Sequence, residues 1–511
     1  MSATHIPKPI PLPAFGLQHS YAEALPQLCV PWRPQPVATP RLVFINRPLV
    51  AALGLPLAGL DEATLAALFC GNVLPPDARP VAQAYAGHQF GHFVPQLGDG
   101  RALVLGEVLD RAGRRYDLAF KGSGRTPFSR RGDGKAALAP MLREVIFSEA
   151  LHALGIPTTR VLAVVATGEP VYRERVLPGA VLTRVAASHL RVGTFEYVRA
   201  HGGLDELRAL ADYAIQRHDP PLGGCPDRYL RLLEAVAARQ ARLVASWMAV
   251  GFVHGVMNTD NMSLSGESID FGPCAFMEGF DPATVFSSID EWGRYAYGNQ
   301  PGIAAWNLAR FAETLLPLID DDPDRAVARA SAVIEALPQR YRAHWLELMR
   351  AKLGLAEAAP RQDAQDEQLS QDWLDLLHAQ QVDHTLAWRY LADAAAGEEV
   401  RLRALFPGQP GLDGWLARWR ARCAAEDAAR PTTHAPGPER AKRMRRVNPW
   451  IIPRNHRVEE ALAAAEAGDL GPFERLLTAV TRPYDEDAAN ISYAEPSPAA
   501  FMREFRTFCG T

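Results

Sequence analysis

Residues 254–272 gather the side chains best suited to chemistry: His254, Asp260, Asn261 and Asp270, the last followed by Phe271 and Gly272. Asparagine and aspartate present hard oxygen atoms of the kind that divalent cations prefer. A carboxylate beside such a ligand can take the proton from a hydroxyl as that hydroxyl attacks. Two residues after His254, however, stands Val256, which offers no polar side-chain atom.

The spacing has a precedent in phosphotransferase chemistry. Catalytic loops there read H-x-D-x-x-x-x-N and precede D-F-G; the loop Asp is the base, and the Asn and the D-F-G Asp hold Mg2+. His254, Asn261 and Asp270-Phe-Gly reproduce that spacing. Val256 occupies the slot of the base, and the carboxylate reappears at Asp260, next to Asn261. The chain is thus equipped to hold a metal–nucleotide complex with its base displaced.

Upstream residues extend the set. Leu97-Gly98-Asp99-Gly100-Arg101 lies between two expected strands, where glycines let backbone N–H groups approach an anion and Arg101 adds charge. Lys121 ends an alternating strand on the face opposite Leu118, the place of a lysine that pairs with nucleotide phosphates. Glu144, in the next helix, is its natural carboxylate partner; Glu149 competes from another helical face. Between them Arg125, Arg130, Arg131 and Lys135 sit among glycines just before a helix start, a combination that suits phosphate oxygens. Arg184 closes an apolar strand and Arg191 follows it, and each needs an anion. Any one of these features alone also fits a turn or a surface charge, so the weight rests on their order. No G-x-x-x-x-G-K-[ST], G-x-G-x-x-G or G-x-S-x-G is present. His88 and His92 are four apart, but Gly87 and Gly91 make a poor helix and no third metal ligand is evident.

The elements that must position these residues follow from periodicity. Leu103–Leu105 and Tyr116–Lys121 read as antiparallel strands around a turn at Asp110–Gly113. Apolar residues at Leu142, Val145, Ile146, Ala150 and Leu154 space a helix that Gly155 and Pro157 end. Val161–Ala166 and Val181–Arg184 read as strands. Leu230–Val253 is a long amphipathic helix running into the 254–272 segment, and residues 303–355 read as helical throughout. Ala358–Gln371 and Ala424–Lys442 are polar enough to read as exposed linkers. Sheet first and helices last defines an α+β chain with the layout of a two-lobed, protein-kinase-like fold. The expected divisions are an N-terminal wrap over 1–80, a mainly β N-lobe over 81–190, a helical C-lobe with the metal site over 191–355, and a helical C-terminal extension over 356–511.

Bulk properties narrow the setting. The 511 residues are 48% hydrophobic and 22% charged, with 54 basic and 58 acidic side chains and a net charge of −4. Near-balance gives no electrostatic reason to expect nucleic acid or a membrane as partner. No apolar run approaches the ~20 residues of a membrane span, and the proline-rich start lacks a signal-peptide core. Six cysteines without a C-x-x-C pair argue against a zinc site or disulfide framework, leaving a cytoplasmic protein as the expectation.

Several blocks carry a closer likeness. Tyr85-Ala-Gly-His-Gln-Phe-Gly, Gln96-Leu-Gly-Asp-Gly-Arg-Ala, the Lys121-Gly-Ser-Gly-Arg-Thr-Pro-Phe-Ser-Arg-Arg-Gly-Asp-Gly block, His254-Gly-Val-Met-Asn-Thr-Asp-Asn, Gly293-Arg-Tyr-Ala-Tyr-Gly-Asn-Gln-Pro and Asn448-Pro-Trp with Arg454-Asn455 resemble the selenoprotein O family over nearly the whole chain. The resemblance implies a pseudokinase fold and transfer of AMP from ATP to Ser, Thr or Tyr hydroxyls of proteins, with UMP transfer as a related activity. It implies Asp260 as base, Asn261 and Asp270 as ligands of Mg2+ or Mn2+, Lys121 and Arg184 on the terminal phosphate, and Glu144 orienting Lys121. Gly98, Gly100, Arg101, Asp133, Gly134 and Arg191 complete the implied nucleotide site. Protein substrates, self-modification among them, are the implied partners, and a monomer is expected. Selenocysteine in the family lies near the C-terminus, where this chain has Cys509; a disulfide between Cys509 and Cys274 is one reading and two unrelated thiols the other. Two alternatives stay open: a conventional kinase that transfers the γ-phosphate, and a catalytically silent nucleotide-binding scaffold.

Overall fold

The computed structural model describes residues 12–355, 362–406, 411–429 and 436–508. Within it the chain forms two compact units, one of residues up to Ala84, Gln96–Met141 and Arg160–His189, the other of Tyr85–Pro95, Leu142–Thr159 and everything from Leu190 on. The α+β expectation holds: strands dominate the first unit and helices the second.

The first unit is built on one antiparallel sheet. Its strands are β1 (Cys29–Pro31), β2 (Arg41–Ile45), β3 (Val81–Gln83), β6 (Ala102–Leu109), β7 (Arg115–Lys121), β9 (Arg160–Tyr172) and β10 (Val176–Ala186), in the order β1-β3-β6-β7-β10-β9-β2. A short β8 (Ala136–Ala137) adds to β10. Alternation along β7 decides the faces. Leu118 and Phe120 join Leu105, Val165, Val181 and Val185 in a core that also buries Leu49, Leu53, Leu65 and Phe69. Those last four come from the short helices Arg47–Leu53 and Glu62–Phe69, which Asn46 and Asp61 cap by accepting the Leu49 and Thr64 amides. Lys121 and Ala119 point the other way. Lys121 pairs with Leu182 and Ala119 with Arg184, so Lys121 and Arg184 share a face on adjacent strands, as the alternation requires.

The second unit brackets the motif. The helix Arg228–Val250 buries Leu232, Leu233, Val236, Leu243 and Trp247, and ends at Gly251, whose φ of +73° few other residues tolerate. There β11 (Phe252–Val253) begins, and it pairs with β12 (Ala275–Phe276), so residues 254–274 form the loop of a two-stranded ladder. The next helix, Gln300–Ile319, holds that loop: Gln300 donates to Phe252 O and accepts from the His254 amide, and Asn307 donates to Met257 O. The hairpin of β4 (Gly87–Gln89) and β5 (His92–Val94), although it lies between first-unit strands in sequence, belongs here.

The two polar stretches expected as linkers are largely helical, which corrects the sequence reading for the residues described. Helices Asp363–Ala379, Leu412–Ala429 and Pro436–Arg445 run through them. Several of their charges are paired and buried rather than solvated. Asp366 is fully buried between Arg350 and Arg422, and buried Arg440 donates to Gly354 O and Asp427. Residues 358–361 and 430–435 lie outside the described residues.

Arg454, with no exposed surface, ties the C-terminal helices to the end of the site loop. It donates to Glu278, to both carboxylate oxygens of Asp383 (2.7 and 3.2 Å) and to Ala494 O. Removing it would leave two carboxylates buried without their counter-charge. Arg454→Met should therefore cost about 3–5 kcal/mol, seen as a lowered midpoint of guanidinium unfolding.

Candidate active site

Each unit carries part of the expected set. The first holds Gly98, Gly100, Arg101, Lys121, Asp133, Gly134 and Arg184; the second holds Glu144, Arg191, Asp260, Asn261 and Asp270.

In the first unit the glycine turn is committed to its own chain. The space over Gly98, at φ +78°, is filled by the Phe128 ring, which an added Cβ would meet at 2.4 Å. Gly100 N–H donates to Gly98 O, Asp99 accepts from the Gln83 amide, and Thr126 and Ser129 hydroxyls donate to Asp99 O and Gly100 O. Close packing thus requires Gly98, while an added Cβ at Gly100 would stand 3.1 Å from the Phe128 carbonyl. Gly134 meets Gly124 in the same way, an added Cβ lying 2.2 Å from its carbonyl. Asp133 accepts from both terminal nitrogens of Arg173 and from the Lys135 amide, and Arg173 holds its carboxyl below the usual range. Lys121 and Arg184 are both buried cations on one sheet face.

The second unit holds the loop chemistry. His254 is buried; burial keeps its imidazole neutral, with Nδ1 toward the Val256 amide and Nε2 donating to Ile269 O at 2.9 Å. This bond joins the start of the loop to the residue before Asp270. Val256 packs into the core, and its carbonyl accepts from Asn261 Nδ2 at 3.0 Å, which leaves Asn261 Oδ1 as the oxygen to offer a cation. Asp270 sits at φ +64°, a conformation that costs a non-glycine residue and persists only when its neighbours enforce it. Part of that enforcement comes from Arg143, a neighbour of Glu144 that sequence reasoning passed over: it donates to Gly272 O and Cys274 O.

Asp260 is the centre of this arrangement. It is only 8% exposed. Its Oδ2 accepts from Gln89 Nε2 at 3.3 Å, its carbonyl accepts from Arg191 Nη1 at 2.9 Å, and its Oδ1 is buried with no hydrogen-bond partner. Burial pushes the carboxyl up to about 6, against the pull of Arg191 and with a further push from Asp270. A carboxylate with one unspent oxygen and a raised pKa is suited to accept a proton. Arg191, expected as a nucleotide ligand, has one guanidinium nitrogen engaged at this loop and stacks over the Tyr85 ring at 4.3 Å.

Among the described residues no group of three or more His, Cys, Asp or Glu side chains is arranged to hold a metal. Asn261 Oδ1 and the Asp270 carboxylate are the oxygen groups of this loop that could serve a hard divalent cation, whose other ligands would come from water and phosphate oxygens. His88 and His92 face other work: they lie on a hairpin, and His88 Nδ1 bonds to Glu196 at 2.5 Å. Cys274 is buried, donates to Phe271 O and has its thiol pushed far up by burial; Cys509 lies outside the described residues. Gln89, Glu196, Asn258 and Tyr295, which also shape the site, carried no signal in spacing; the Tyr85 and Gly293 blocks that contain Gln89 and Tyr295 were visible only through resemblance.

A strand lysine, a helix glutamate, a displaced carboxylate and an Asn–Asp pair, in that order along an α+β chain, are what a nucleotide-handling transferase would carry. The family model described as protein adenylyltransferase SelO matches residues 18–481, and the chain belongs to that family. It is similar to the protein nucleotidyltransferase YdiU of Cereibacter sphaeroides (58% identical over 498 residues, 97% of this chain and 100% of the relative). The YdiU proteins of Chromobacterium violaceum (59% over 489 residues, 95% and 100%) and Rhizobium etli (56% over 504 residues, 98% of each) are similar in the same way. The chain is accordingly a nucleotidyltransferase. No described helix is long and apolar enough to cross a membrane.

The burial of Asp260 has a stability signature. An aspartate unperturbed at about 3.9 and raised to about 6 in the fold favours the folded state only while protonated. Its cost appears as pH rises past the unfolded value and is complete above the folded one, on the order of 3 kcal/mol. With metal chelated, Asp260→Asn should melt above the wild type at pH 8, with the gap closing toward pH 4. Differential scanning calorimetry across that range checks it.

Proposed function

We propose that this chain transfers AMP from ATP to Ser, Thr or Tyr hydroxyls of proteins, releasing pyrophosphate. The observation that carries the reading is Asp260: a buried carboxylate with one unpartnered oxygen, adjacent to Asn261, in a loop whose usual base position is the core residue Val256. Asp260 accepts the acceptor hydroxyl's proton as that oxygen attacks the α-phosphorus. The bond from that phosphorus to the bridging oxygen breaks, and pyrophosphate carries off the electron pair. A bound Mg2+ or Mn2+ would supply charge neutralisation at the phosphates; Asn261 Oδ1 and the Asp270 carboxylate are the protein groups that would hold it. Lys121 and Arg184, two cations on one sheet face, suit the terminal phosphates of an inverted nucleotide. Arg101, Gly98, Gly100, Asp133, Gly134 and Arg191 are the remaining nucleotide-site residues of this reading, the glycines, Asp133 and part of Arg191 acting through the internal bonds described above.

Two labels distinguish the reactions. With ATP labelled at the α-phosphate, label should enter protein, whereas γ-label should not; γ-label alone would make the chain a kinase, and neither, despite tight binding, a scaffold. UTP labelled at the α-phosphate tests the second donor in the same assay. Asp270→Ala should abolish transfer through loss of the metal. Full activity of that variant with Mg2+ or Mn2+ present would contradict the assignment.

A further inference from the structure

Asp260 belongs to a three-residue helical turn, Thr259–Asn261, which has too few internal bonds to fix a carboxylate by itself. What surrounds it is a single run of six residues. The Tyr85 ring lies under Arg191, the Ala86 amide donates to Gly193 O, and Gly87 faces the Asp260 carboxylate so closely that a Cβ would stand 2.6 Å from Oδ1. The His88 amide donates to Thr259 Oγ1 at 2.6 Å, the Gln89 amide group donates to Asp260 Oδ2, and the Phe90 amide donates to Asn258 Oδ1. Every residue from Tyr85 to Phe90 therefore touches the loop or the residues that hold it.

At the middle of this run the bonds close into a ring. Thr259 Oγ1 donates to Glu196 Oε2 at 2.5 Å, and His88 Nδ1 donates to Glu196 Oε1 at 2.5 Å. Glu196 is 4% exposed, on the helix Val192–His201, and the positive charge of Arg310 bears on it. The His88 ring is held in turn by Phe93 and Trp306, with centroids 5.0 and 5.2 Å away. A buried carboxylate that receives two charge-assisted bonds fixes the rotamers of both donors. None of these three residues has a role in the reaction described above.

We infer that His88, Glu196 and Thr259 are positioning residues: their ring locks the Tyr85–Phe90 segment to the loop and sets the orientation of the Asp260 carboxylate toward the acceptor hydroxyl. This rests on Asp260 being the base. Misplacing a reacting group by about 1 Å costs on the order of 100-fold in rate, so the ring should act on turnover while leaving nucleotide affinity alone.

The test uses the full chain and three variants. Thr259→Val keeps the shape and removes both bonds of Oγ1; Thr259→Ser restores the hydroxyl; Glu196→Gln keeps one acceptor and loses the charge. Turnover is read as α-label entering casein, nucleotide affinity by calorimetry with α,β-methylene ATP and Mn2+, and loop order by deuterium exchange of residues 256–262. Thr259→Val should lose about 100-fold in kcat, with analogue Kd within about twofold and faster exchange of the loop. Thr259→Ser should recover most of the rate and the protection, and Glu196→Gln should fall between. Wild-type turnover in Thr259→Val, an equal loss in Thr259→Ser, or unchanged exchange in Thr259→Val would each overturn the assignment. Should the wild type transfer no α-label, the reaction reading fails, and the exchange arm still decides the ring: faster exchange in Thr259→Val, reversed in Thr259→Ser, upholds it.

Discussion

The organisation of the second unit depends on one costly act, the removal of the Asp260 carboxylate from water. An ionised carboxylate in an apolar setting must be paired, hydrogen-bonded or protonated. Here it receives a single long side-chain bond, from Gln89, and keeps one oxygen unpartnered. The surroundings are built to tolerate this without satisfying it. Arg191 donates a hydrogen bond to the backbone carbonyl of Asp260, so its charge is near while Oδ1 of the carboxylate stays unpartnered. Gly87 leaves room for the carboxylate where any side chain would displace it. Such a group is destabilising when ionised, and its cost is met by the packing and bonding of the strand, helix and loop around it.

The same constraint bears on where the loop carries its carboxylate. Val256 is buried, and its side chain offers nothing polar; its carbonyl orients Asn261 and its amide meets His254 Nδ1. The carboxylate four residues later lies where the Tyr85–Phe90 segment reaches it, and that segment folds with the second unit although its sequence neighbours build the first. The place of this carboxylate along the loop thus goes with a dedicated support. Asn261 and the Asp270 segment are fixed independently, Asn261 through Val256 O and the Asp270 segment through His254 and Arg143.

Much of this was legible from residue order alone. The alternation of Tyr116–Lys121 put Lys121 opposite Leu118, and the sheet register agrees. The long apolar stripe ending at Val250 gave the helix that delivers the loop, and the α+β layout followed from sheet-first order. What could not be read was long-range pairing. His88 gains its meaning from Glu196, 108 residues later, and Gln89 from Asp260, 171 residues later. Spacing within a segment is silent about either. Asp366 and Arg440 looked like solvated linker charges because composition does not show whether a charge has a buried partner. The glycines near Phe128 read from sequence as room for a ligand, and spacing gave no sign that the Phe128 ring packs on Gly98 and the Phe128 carbonyl stands over Gly100.

The central claim is that the reacting hydroxyl loses its proton to Asp260, and the turnover of Asp260→Asn addresses it directly. The amide keeps the shape and the bond-accepting oxygen but cannot act as a base. General-base removal typically costs 10²–10⁴-fold, so α-label transfer should fall by about that factor while affinity for α,β-methylene ATP is retained. Transfer by Asp260→Asn at the wild-type rate would contradict the account.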